Sequence, residues 1–107
     1  TATAPLISLL HATRGRPAQA LLVRSQFLAM ADGASRVEHI FAVDADDADT
    51  LEATRGFRRA LVRDPRGCFK AYNAGAARSK GDILFQIEDD VAPCAHWDTL
   101  TLEAFFN

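Results

Sequence analysis

The sequence predicts a single α/β domain built on a small, mostly parallel sheet with flanking helices. Three observations carry that expectation. Short apolar runs alternate with longer stretches of helical spacing. Gly and Pro punctuate the junctions between them. Two of the apolar runs end in acidic clusters, and in parallel sheets the carboxyl ends of strands are where ligands bind. A chain of 107 residues, 49% hydrophobic and 24% charged, can bury one core and has no signature of disorder.

The elements follow in order. Leu6 to Leu10 is a β-compatible run that stops at a loop, His11 to Pro17, marked by Gly15 and Pro17. Pro17 suits the first turn of a helix, and Leu21, Leu22, Ser25, Leu28 and Ala29 recur near helical spacing until Asp32-Gly33. Val37 to Val43 reads as a second strand and delivers the acidic stretch Asp44 to Asp49. Leu51 to Arg59 reads as a short helix, Ala60 to Val62 as a short strand, and Asp64-Pro65-Arg66-Gly67 as a turn. Cys68 to Lys80 reads as a helix closed by Gly81-Asp82, and Ile83 to Ile87 as a buried strand ending in Glu88-Asp89-Asp90. In the tail, helical spacing puts Trp97, Leu100 and Ala104 on one face. The loops at 11–17, 44–49 and 88–94 then share one sheet edge.

Several function classes lose support here. A formal net charge of −2 gives no long-range field for nucleic acid, although arginines gather between Arg55 and Arg66. No apolar stretch approaches the roughly 20 residues of a bilayer span, and no signal peptide is visible, so the simplest reading is a cytoplasmic chain. Cys68 and Cys94 are too few for a zinc knuckle and read as structural. His11, His39 and His96 match no metal-ligand spacing and read as surface or packing residues. Neither the P-loop nor the dinucleotide fingerprint is present.

The acidic tip is the strongest chemical signal. Three adjacent carboxylates repel one another unless a cation, a helix N-terminus or solvent relieves them. Glu88, Asp89 and Asp90 suit a hard divalent cation whose remaining ligands are phosphate oxygens. A solvated turn or a helix cap is the competing reading. Asp44 to Asp49 fails as an EF-hand, because Asp49 and Arg55 stand where glycine and glutamate belong. Asp44 instead reads as an acceptor for a ligand's polar edge, with Asp46, Asp47 and Asp49 solvated or capping the next helix. Arg14 and Arg16 read either as a phosphate grip or as a solvated basic loop.

Four segments, in order, resemble the N-terminal nucleotide-sugar-binding half of family-two glycosyltransferases, which have the Rossmann-like GT-A fold. They are ISLLHATRGRP at 7–17, VEHIFAVDADDAD at 37–49, GCFKAYNAGAARSKGD at 67–82 and ILFQIEDDVAP at 83–93. Gly67, Asn73, Gly75 and Gly81-Asp82 fall at family spacing. The resemblance implies a nucleotide-sugar partner, with Asp44 holding the base or ribose and Ala12, Thr13 and Arg14 lining the same pocket. Glu88-Asp89-Asp90 would be the DxD-type motif: Asp90 ligates Mn2+ or Mg2+, and Glu88 or Asp89 supports the ribose or a metal-bound water.

Three positions depart from the family. Glu88 replaces the first Asp, Gly15 an Asn, and Tyr72 an Arg. Family members also continue into an acceptor-binding half that supplies the general base, so a chain from Thr1 to Asn107 reads as an incomplete version finished by further sequence or by a completing chain. Two alternatives stand beside donor binding. One is a non-catalytic interaction protein that self-associates as a homo-oligomer through its apolar tail. The other is an unrelated α/β domain binding a phosphorylated small molecule.

Overall fold

The computed structural model describes residues 5–63 and 67–106; the turn expected at Asp64-Pro65-Arg66 lies outside them. Strands β1 (Ile7–Thr13), β2 (Val37–Asp44), β3 (Arg59–Val62) and β4 (Ile83–Ile87) alternate with helices α1 (Pro17–Met30), α2 (Ala48–Ala53), α3 (Cys68–Arg78) and α4 (Trp97–Phe106). A short 3-10 turn, Ala34–Arg36, leads into β2. The strands form one sheet in the order β3-β2-β1-β4, and every pair is parallel. The chain is therefore α/β with a four-stranded parallel sheet, compatible with a small Rossmann-like fold.

The strand order sets the functional geometry. Successive strands move outward from β1 to β3, and the chain then returns to place β4 on the opposite side of β1. The direction of winding reverses between β1 and β4, and a crevice opens at such a switch point beyond the carboxyl ends of the strands.

Period-two alternation sorts the core into two layers. Ile7 and Leu9 of β1 join Val23 and Phe27 of α1, Ile83 and Ile87 of β4, and Trp97. Leu10, Ile40 and Ala60 turn the other way, toward Tyr72 and Ala76 of α3. The stripe that α1 buries is Ala20, Val23 and Phe27. Leu22, expected on the packed face, is half exposed, because the residues three and four positions apart that meet the sheet begin at Ala20.

Two further expectations are corrected. Ile83 to Ile87 is an edge strand rather than a fully buried one: α3 packs across β1, β2 and β3, leaving Leu84 and Gln86 exposed. In α4 the inward face is Trp97, Asp98, Thr101 and Leu102, whereas Leu100 and Ala104 lie outside. Two anchors impose that rotation. The Trp97 indole donates to the Phe27 carbonyl at 2.7 Å. The Asp98 carboxylate, fully buried, accepts from the backbone N–H groups of Asp32 and Gly33 at 2.8 and 2.9 Å and from Arg36.

The amino-terminal edge is pinned by Ser8, whose hydroxyl donates to Glu38 at 2.6 Å and accepts from the Gly81 N–H at 2.9 Å. A Cβ at Gly81 would lie 2.9 Å from the Ser8 backbone nitrogen, so only glycine permits this approach of α3's exit to β1.

Asp98 generates a stability prediction. Burial alone opposes its charge, but the backbone N–H groups of Asp32 and Gly33 hold its carboxyl below the ordinary 3.8. A depressed folded pKa stabilises the fold above the unfolded value and loses that contribution as pH falls through the folded one. Urea titration of Asp98→Ala at neutral pH is expected to show a loss of about 2–3 kcal/mol, and the gap from wild type should narrow below about pH 4.

Candidate functional site

β1 continues three residues past its expected end, through His11, Ala12 and Thr13. This extension changes the chemistry of the edge. The alternation that buries Ile7 and Leu9 under α1 carries His11 and Thr13 onto the same face, where Asp89 arrives from the end of β4. His11 is fully buried, and its Nε2 lies 2.7 Å from Asp89 Oδ1. The Thr13 hydroxyl donates to Asp89 Oδ2, also at 2.7 Å, and Arg16 Nε approaches that oxygen at 3.6 Å. On the inner side His11 Nδ1 faces His39 Nε2 at 2.8 Å. Three buried side chains thus run in line from β2 through β1 to the tip of β4.

His39 packs edge-on against Phe41, with ring centroids 4.3 Å apart. Burial, reinforced by the neighbouring His11 and Arg24, pushes its pKa well below 6.5. It is neutral at physiological pH. His39 Nδ1 is buried without a hydrogen-bond partner.

A second network joins the loop after β1 to the end of β2. Arg14 donates through Nη1 to Asp44 Oδ2 and to Asp46 Oδ1, each at 2.8 Å. The Gly15 N–H donates to Asp47 Oδ2 at 2.7 Å, and Asp47 Oδ1 accepts from Thr50 N–H at the start of α2. Gly15 has φ +70°, a conformation that glycine adopts without the penalty a side chain incurs. The helix-capping role expected in the acidic stretch falls to Asp47. Asp44 itself is buried, with one oxygen engaged by Arg14.

The three acids at the tip of β4 separate. Asp89 turns inward, while Glu88 and Asp90 are exposed. The Tyr72 hydroxyl, donated from α3, reaches the Ile87 carbonyl at 3.2 Å. Splitting the carboxylates between core and solvent relieves much of the repulsion that adjacency implies. Thr13, Arg14, Asp44 and Asp89 therefore meet in two hydrogen-bonded groups at one edge. Ala12 lies on the opposite face, against Ala42, Val62 and Ala71.

Among the described residues no group of three His, Cys, Asp or Glu side chains is placed to hold a metal ion by itself. Glu88 and Asp90 are exposed carboxylates, hard oxygen donors of the kind that Mg2+ or Mn2+ takes.

The histidine pair is what sequence reading missed. Ending β1 at Leu10 put His11 in a loop, and the pairing with His39 exists only through the parallel register of β1 and β2. The signal was the continued alternation Ile7, Leu9, His11, Thr13. Of the remaining chemistry-bearing residues, His96 is exposed and bonded to Asp32 at 2.6 Å. Cys94 is a free, exposed thiol rather than a packing residue. Among the described residues no helix is long and apolar enough to cross a membrane.

No protein-family profile matches the chain, and no curated protein or solved structure is significantly similar to it.

Removing the Asp89 carboxylate strands two buried donors, the His11 ring and the Thr13 hydroxyl. Asp89→Ala is expected to lower stability by about 2–4 kcal/mol in denaturant titration, and Asp89→Asn, which keeps an acceptor toward His11, by about 1 kcal/mol. Equal losses in the two variants would show that the hydrogen bonds are not what Asp89 contributes.

Proposed function

We propose that this chain is the donor-binding domain of a glycosyltransferase-like protein, which holds a nucleoside-diphosphate sugar in the crevice between β1 and β4. One observation carries the reading. The parallel order β3-β2-β1-β4 brings the ends of β1, β2 and β4, which carry Thr13 and Arg14, Asp44, and Glu88 to Asp90, to the same edge at the switch point. The ordered sequence resemblance assigns nucleotide recognition to those same three segments.

In this reading Asp44 accepts from the base or ribose, and the ligand takes the place of Arg14 on its carboxylate. Asp90, with Glu88, holds Mn2+ or Mg2+. When bound, that ion would supply neutralisation of the diphosphate's charge. Thr13, fixed by Asp89, gives the crevice a rigid wall. No residue of the chain is assigned as a general base, and the reading is one of donor binding.

The exposed apolar residues Leu84 on β4 and Leu100, Phe105 and Phe106 on α4 favour a second reading, self-association as an interaction protein. It predicts a mass that rises with concentration in light scattering and no nucleotide binding.

Calorimetry with uridine and guanosine diphosphates in Mn2+ tests the donor-binding reading. Binding is expected for at least one of them, weakened about tenfold by Asp90→Ala and by Asp44→Asn. Arg14→Ala is expected to strengthen binding of the bare nucleoside by about threefold, because it releases the Asp44 acceptor. No heat with either diphosphate contradicts the reading.

A further inference from the structure

Arg14 and Arg16 flank Gly15, but their surroundings differ. Arg14 is committed through Nη1 to two carboxylates. Arg16 meets Asp89 through Nε at 3.6 Å, with 58% of its side chain exposed. A guanidinium whose Nε faces a carboxylate in a loose ion pair keeps its terminal nitrogens for a second anion, and its planar fork matches phosphate geometry.

The carboxylate that holds Arg16 is fixed from behind. Neutral His39 carries one ring proton, and its Nδ1 is buried without a partner. A proton on Nδ1 would leave a buried donor unsatisfied, whereas a bare lone pair there costs less. We infer from this that the proton sits on Nε2 and is donated to His11 Nδ1, 2.8 Å away. With Nδ1 accepting, His11 carries its own proton on Nε2 and donates to Asp89 Oδ1, while Thr13 donates to Oδ2. Every bond in the chain points the same way, from β2 toward the crevice.

We propose that Arg16 is the residue that grips the ligand's diphosphate, and that His39, His11 and Asp89 are its positioning residues. The hydrogen bonds from His39 through His11 set the rotation of the Asp89 carboxylate, and that carboxylate sets the guanidinium over the carboxyl ends of β1 and β4. The inference rests on the donor-binding reading and deepens it: of the two arginines in the first loop, it assigns phosphate to Arg16 and not to Arg14, which pairs with Asp44 and Asp46 until the ligand displaces it from Asp44.

Calorimetry on the full chain, with nucleoside diphosphate and the matching nucleoside in Mg2+, provides the test. Arg16→Gln is expected to weaken the diphosphate about tenfold and leave the nucleoside unchanged, with Arg16→Lys intermediate. His39→Leu is expected to weaken the diphosphate about threefold, and His39→Gln, whose amide N–H replaces the Nε2 donor, to restore it. Nitrogen-15 spectra of the histidines in the wild-type protein, which need no variant to fold, should show both His11 and His39 protonated at Nε2. Diphosphate binding that survives Arg16→Gln intact overturns the assignment while leaving donor binding standing. Protonation of His39 at Nδ1 overturns the positioning chain. Absence of diphosphate binding to the wild type removes the donor-binding reading and the Arg16 assignment with it, and the spectra then decide the histidine chain alone.

Discussion

A carboxylate at the end of an edge strand, buried and bonded to two side chains of the neighbouring strand, is the constraint on which this molecule's carboxyl edge depends. Asp89 accepts from His11 and Thr13 of β1, so the tip of β4 is tied to the central strand by charge-assisted bonds that the sheet ladder does not supply. Burying that carboxylate is costly unless its lone pairs are met, and meeting them fixes the side chains of both strands. The same requirement draws His39 of β2 into contact with His11. Three strands converge on one acid.

The two edges of the sheet are organised by the same logic at different depths. At the amino edge, Ser8, Glu38 and the backbone at Lys80 and Gly81 form a network that closes the α3 to β4 connection. At the carboxyl edge, Arg14 and Gly15 join the first loop to the acids after β2, and Asp89 joins β4 to β1. The side chains at this edge are already held in place, which would lower the ordering cost of binding the proposed ligand there. The carboxylates Glu88 and Asp90, where the proposed cation would be held, are exposed just beyond this rim.

Much of the fold was legible because its signals are local. Pro17 opening α1, the β-branched run of β2, and the apolar run from Ile83 to Ile87 each declare an element within a few residues. The α2 region was read three residues late, since its start is set by the Asp47 cap rather than by apolar periodicity. The acidic tip was visible as composition, but its division into one buried and two exposed acids follows from strand alternation carried past the point where apolar residues end. The histidine chain was illegible for a different reason. Its members are 28 and 78 residues apart, and only the register and the strand order bring them together. Likewise Arg14 and Arg16 look equivalent in sequence, and their different partners separate them.

A nitrogen-15 amide titration of the wild-type chain with a nucleoside diphosphate and Mg2+ tests the central claim, that the β1–β4 switch point is the ligand site, most directly. The account predicts that shifts concentrate at Thr13 to Arg16, Asp44 to Asp47 and Glu88 to Val91, while Ser8, Glu38 and Gly81 at the opposite edge stay still. Shifts confined to Leu84 and to α4, or no shifts at saturating ligand, would contradict it.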